Sequence, residues 1–146
     1  MSPDPWTSEL AQAQRLLQGS GPVGHQSLRM VCWLLRSVLE QTYRDLLKAQ
    51  GAGLGSASNK AALICLRALY YEAAPDLADD AESAWTRLSR AVHHHSYELS
   101  PTLGEVQDLA GTVIGVVQFT AQQGREVPTR HQPIARCDET SDRSEQ

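Results

Sequence analysis

The sequence is poor in the residues that build β-sheets and disulfide-linked folds. Aromatic residues make up 5% of the 146 positions, and no alternation of apolar and polar side chains persists along the chain. The three cysteines, Cys32, Cys65 and Cys137, are 33 and 72 positions apart, which gives neither a disulfide framework nor the paired spacing of a zinc site. We interpret Cys32 and Cys65 as small apolar residues on helix faces, and we predict no cofactor and no metal.

Long apolar runs and an excess of positive charge are also missing. No stretch approaches the roughly 18 consecutive apolar residues of a transmembrane helix, and the opening MSPDPWTSEL lacks the basic and apolar segments of a secretory signal. We therefore expect a cytoplasmic protein with no membrane contact. The formal net charge of -4 argues against a protein that coats nucleic acid through a broad positive field. It leaves room for a small basic site.

Helical periodicity is what the sequence does contain, and it predicts an all-α bundle of four to five mostly antiparallel helices. We expect one domain over residues 1–124 and a disordered tail over residues 125–146, where large apolar residues are rare. The strongest helix is predicted over about residues 25–50, with these apolar or inward-facing positions: Leu28, Val31, Cys32, Leu35, Val38, Leu39, Thr42 and Leu46.

Four further helices are predicted from their periodicity and their end signals. Ser58 is a candidate N-cap, and Thr102 with Glu105 forms a candidate capping box. Gly124 is expected to end the last helix. The helices cover about residues 7–18, 58–70, 75–92 and 102–122.

One polar row of the long helix allows two interpretations. Arg36, Glu40 and Arg44 follow each other at steps of four residues, which is typical of a solvated ladder of ion pairs. The alternative is that Glu40 or Arg36 faces a functional cleft.

The stretch RLSRAVHHHSYEL holds three of the five histidines of the chain. Consecutive residues on a helix point about 100° apart, so the three imidazoles cannot all bind one metal ion while the helix continues. On such a helix Arg87, Arg90 and His94 share one face, whereas His95 follows the stripe that faces the core. If the helix loosens near Ser96, His95 can turn toward the arginines.

Histidine and arginine together suit phosphodiester chemistry. Histidine exchanges protons near neutral pH, and arginine grips phosphate oxygens with two donors. Metal-independent RNA cleavage needs a proton removed from the 2'-hydroxyl, charge stabilised on the phosphate and a proton given to the 5'-oxygen. One histidine and one arginine per subunit can supply these functions, and a dimer brings two of each.

Residues 90–97, RAVHHHSY, read R-x4-H-x-Y and resemble the signature of the HEPN superfamily, particularly the toxins of HEPN/MNT toxin–antitoxin pairs. The segment RSVLEQTYRDLL resembles the early helix of such domains, where a residue such as Glu40 often faces the motif. The resemblance implies a homodimer with its cleft at the subunit interface, Arg90 and His95 as the ribonuclease pair, and a toxin or defence function. It also implies a nucleotidyltransferase-type antitoxin as partner, with Tyr97 as a target of modification.

Within this hypothesis, Arg87, His94 and Tyr97 position the RNA substrate. A catalytically inactive HEPN-like dimerisation or interaction module is the alternative, favoured by the acidic net charge and by Ala91, which stands where a polar residue is common in the family. Ordinary structural roles are open too: the arginines can pair with acids of a neighbouring helix, and His95 can lie satisfied at the edge of the core. A helical regulator that binds a small ligand is a third possibility.

Overall fold

Five α-helices and no strand make up the part of the chain that the computed structural model describes, residues 5–19, 24–52, 55–93 and 100–125. In chain order the helices are α1 (Pro5–Gln18), α2 (His25–Ala49), α3 (Asn59–Tyr70), α4 (Pro75–Val92) and α5 (Leu103–Arg125). The prediction of an all-α bundle is confirmed. None of these five helices is both long enough and apolar enough to span a membrane.

Two helix boundaries differ from the sequence prediction. Helix α1 begins at Pro5, because the fixed φ and missing N–H of proline suit the first turn of a helix. Helix α5 continues through Gly124 to Arg125, since a single glycine weakens a helix by only about 1 kcal/mol. The prediction of a disordered tail, from residue 126 onward, falls outside the described residues.

The end of α2 is closed by a glycine in the left-handed region. Gly51 has φ 80°, its N–H donates to the carbonyl of Lys48, and the N–H of Ala52 donates to the carbonyl of Leu47, both at 3.0 Å. These two bonds form a Schellman motif, which satisfies carbonyls that the helix leaves without partners. The chain therefore turns sharply after α2.

Both predicted helix starts are confirmed. The Ser58 hydroxyl accepts from the N–H of Ala61 at 3.2 Å. The Thr102 hydroxyl accepts from the N–H of Glu105 at 3.2 Å, and the Glu105 carboxylate accepts from the N–H of Thr102 at 2.7 Å. This backbone N–H, and next the Thr102 hydroxyl, lower the pKa of Glu105, so the box keeps its charged acceptor.

Helix α2 lies at the centre of the bundle, because it contacts all four other helices. The eight positions that the sequence assigned to its inner face are all buried. Cys32 is one of them, and burial raises the pKa of its thiol to about 11. Leu34, Tyr43 and Leu47 are buried as well. The apolar stripe of α2 is therefore wider than predicted, as a helix with neighbours on several sides requires.

Helix α3 covers the core with only one of its faces. Leu63, Leu66 and Tyr70 are buried, whereas Ile64 and Leu69, which share the apolar pattern of the helix, are exposed. Helix α3 packs mainly on α2 and α4, so its opposite side faces outward.

Candidate functional site

The motif that carries the family resemblance begins in the last turn of α4. This helix ends at Val92, and His93 is its C-cap residue, whose N–H donates to the carbonyl of Ser89 at 3.0 Å. Arg90 is exposed and forms no hydrogen bond or ion pair with another described residue. Its guanidinium is therefore available to a ligand as far as the described part of the chain is concerned.

The other predicted site residues divide into two groups. Arg87 is exposed, and its charge contributes to the lowered pKa of Glu105 at the start of α5. His94, His95 and Tyr97 lie outside the described residues. The convergence of Arg90 and His95 on one pocket stays a prediction.

Three contacts from α2 hold the C-terminal end of α4. A guanidinium nitrogen of Arg29 donates to the carbonyl of Val92 at 3.4 Å. Arg36 donates to Nε2 of His93 at 2.9 Å, and the indole N–H of Trp85 donates to Glu40 at 2.9 Å. Val92 and His93, which belong to the motif, are thus held against the central helix of the bundle.

Glu40 is the centre of this arrangement. Its Oε1 accepts from Nε of Arg36, from Nδ2 of Asn59 and from Nε1 of Trp85, each at 2.9 Å. The side chains of Arg36 and Glu40 are 21% and 25% exposed, so the pair is partly withdrawn from water. The Arg36 guanidinium also lies 5.7 Å from the centre of the Trp85 ring, within the range of a cation–π contact.

Arg44 does not extend this pair into a ladder, which corrects the first interpretation of the polar row. Its guanidinium donates instead to the carbonyl of Ala57 and to Oδ1 of Asn59, both at 2.9 Å. The Tyr43 hydroxyl donates to the same oxygen at 2.7 Å. The Asn59 amide therefore accepts two hydrogen bonds at Oδ1 and donates one from Nδ2 to Glu40, which fixes its orientation. A continuous hydrogen-bond network therefore joins α2, α3 and α4.

The contact between Arg36 and His93 defines the state of the imidazole. A guanidinium has donors only, so Nε2 of His93 must supply the lone pair. The contact therefore requires the tautomer that carries its proton on Nδ1.

Next to this contact lies an open groove between α2 and the end of α4. It consists of two adjoining cavities of about 430 and 230 Å3, which share Trp33 and Val92 in their walls. Arg29 and Met30 line the larger cavity, and the smaller one is lined also by Arg36, Ser37, Glu40 and His93. Trp33 is 52% exposed, which is unusual for so large an apolar side chain.

The groove combines an aromatic surface with positive charge. Two guanidinium groups and one carboxylate line the described part of the groove. Arg90, in the last turn of α4, is not among these lining residues. Such a site suits a ligand that carries both a flat ring and an anionic group. Within the described ranges, no three histidine, cysteine or carboxylate side chains are grouped closely enough to bind a metal ion.

The sequence interpretation found part of this site. Glu40 and Arg36 were recognised as candidates, whereas Asn59, Trp85 and Trp33 were not. A half-buried indole needs an acceptor for its N–H, so Trp85 on the inner face of α4 was a usable signal. Comparisons with protein-family models, with curated proteins and with solved structures found no match to this chain.

Proposed function

We propose that the protein is a HEPN-like, metal-independent endoribonuclease in which Arg90 and His95 act at the cleft of a homodimer. The observation that carries the proposal is the position of Arg90: it is exposed in the last turn of α4, without a partner among the described residues. The all-α bundle with a long early helix fits the resemblance.

Each residue has a defined task in this proposal. His95 removes the proton from the 2'-hydroxyl and returns a proton to the departing 5'-oxygen, singly or with its copy in the second subunit. Arg90 stabilises the charge that collects on the phosphate. Arg87, His94 and Tyr97 position the strand. Glu40 holds Arg36 and Trp85, and through them the end of α4.

A toxin or defence function is part of the proposal, as is a nucleotidyltransferase-type antitoxin that modifies Tyr97. The expected location is the cytoplasm.

Cleavage of RNA by purified protein in excess chelator tests the catalytic proposal. We expect wild type to leave 2',3'-cyclic phosphate ends, because the 2'-oxygen attacks the phosphate. His95→Ala and Arg90→Ala should each lower the rate by about 100-fold or more, the range expected for a lost acid–base or charge-stabilising group. DNA of the same sequence, which has no 2'-hydroxyl, should not be cut.

Arg15→Ala is the matched control, because Arg15, like Arg90, is an exposed arginine in the last turn of a helix. This variant should cleave as wild type does. Equal cleavage by wild type, His95→Ala and Arg90→Ala would refute the catalytic assignment.

The alternative function is an inactive HEPN-like module for dimerisation or interaction. One observation favours it: Ala91, the residue next to Arg90, is 6% exposed and belongs to the core. A polar helper group at that position would be directed away from the groove. A dimer that retains its mass but never cleaves RNA would support this alternative.

A further inference from the structure

The exposed face of Trp33 has no role in the proposed RNA cleavage. Trp33 and Met30 are 52% and 49% exposed and lie side by side in the wall of the larger cavity. The cavity of about 430 Å3 falls within the range of about 300–1,000 Å3 that is usual for small-molecule sites. An exposed indole in a concave wall offers a flat face on which a ring can stack.

Positive charge surrounds this indole, although the whole chain is acidic. Among the described residues, the groove contains Arg29 and Arg36 against Glu40, whereas the net charge of the chain is -4. Arg36 donates from Nε to Glu40 and from Nη1 to His93, which leaves its Nη2 without a partner among the described residues. A ligand with a ring and a phosphate would therefore find complementary groups on adjoining walls.

We propose that the groove between α2 and the end of α4 binds one nucleotide of a single-stranded RNA, with its base stacked on Trp33 and its phosphate contacted by Arg36. This inference rests on the proposed function, to which it adds a subsite for one nucleotide of the RNA. Stacking on an aromatic side chain tolerates any base, so the subsite would select unpaired RNA over duplex RNA rather than one sequence over another.

The test uses a short single-stranded 2'-O-methyl RNA, which cannot be cleaved through its 2'-oxygen, so that binding is measured apart from chemistry. Fluorescence anisotropy should show Trp33→Ala binding about tenfold more weakly than wild type, the loss expected for one base–aromatic stack. Trp33→Phe should retain part of the affinity, because a phenyl ring keeps a stacking face. The RNA should also quench tryptophan emission in wild type more than in Trp33→Phe.

Tyr71→Ala is the matched control, because Tyr71 is 72% exposed and is not part of the groove wall. It should bind the RNA as wild type does. Duplex 2'-O-methyl RNA should bind wild type more weakly than the single strand.

Three results separate this proposal from the catalytic one. Binding that depends on Trp33 without any cleavage of ordinary RNA supports the subsite even where the ribonuclease assignment fails. Equal binding by wild type and Trp33→Ala overturns the subsite while the ribonuclease assignment stands. A Trp33→Ala variant with unchanged RNA affinity and a lower molar mass by light scattering also overturns it, since the indole then serves a contact between protein chains.

Discussion

At the scale of single residues, Glu40 accepts more hydrogen bonds than the spacing of its neighbours in α2 predicts. One of its oxygens accepts donors from α2, α3 and α4. A hydrogen bond to a charged group contributes about 1.5–3 kcal/mol, and a buried donor left without its acceptor costs about 1–3 kcal/mol. Because Glu40 is one-quarter exposed, water can replace some of the hydrogen bonds that are lost when its side chain is truncated.

Glu40→Ala should lower the free energy of unfolding by about 2 kcal/mol, because Trp85 and Asn59 lose their acceptor. Glu40→Gln keeps an oxygen in place and should cost about 1 kcal/mol. Urea denaturation followed by circular dichroism measures both. Gln41→Ala is the control, since Gln41 is exposed and its amide bonds, among the described residues, only to Asp45; this variant should stay within about 0.5 kcal/mol of wild type. An Ala variant as stable as wild type would contradict the role given to Glu40.

Residue-level spacing could predict only part of this network. The step from Arg36 to Glu40 is local, and it forms as an (i, i+4) pair. The partners Asn59 and Trp85 are 19 and 45 positions away, and no periodicity within one helix reports which residues of other helices will meet. The contact of the exposed His93 is equally remote in sequence, because its Nε2 accepts from Arg36 across 57 positions.

At the scale of elements, the C-terminal end of α2 depends on backbone geometry. Gly51 has φ 80° and completes the end of α2, a region where a Cβ is unfavourable. Gly115 lies inside α5, where a Cβ would meet no atom within 4 Å. The same substitution should therefore have opposite effects at these two positions.

We expect Gly51→Ala to destabilise the protein by about 1 kcal/mol, through the cost of a left-handed alanine. Gly115→Ala should stabilise it by about 0.5–1 kcal/mol, because alanine has the higher helix propensity. Thermal unfolding of both variants in one buffer measures the difference. A Gly51→Ala variant as stable as wild type, or more stable, would show that the end of α2 does not require a left-handed residue.

Element prediction succeeded where the signal was local. The capping box of Thr102 and Glu105 and the N-cap at Ser58 are short patterns with a direct mechanism, and both form. The exposure of Ile64 and Leu69 could not be predicted in this way. Their burial depends on whether another helix covers the outer side of α3. The periodicity of α3 alone carries no information on that.

At the scale of the whole molecule, α2 is the element on which the other four helices pack. Leu39, near its middle, is fully buried. Leu39→Ala should therefore lower the free energy of unfolding by about 3 kcal/mol, as expected for a large-to-small substitution in a core. Leu69→Ala on the half-exposed face of α3 is the control and should cost less than about 1 kcal/mol. Denaturant titration distinguishes the two, and similar losses would contradict the central position of α2.

The central position of α2 also bears on how the chain folds while it is being synthesised. Helix α2 is complete by Ala49, but α5, which covers one of its sides, runs from Leu103 to Arg125. During translation, the apolar side of α2 that faces α5 stays uncovered until α5 leaves the ribosome. Chains that stop before α5 should therefore be held by chaperones or degraded, whereas full-length chains can close their core.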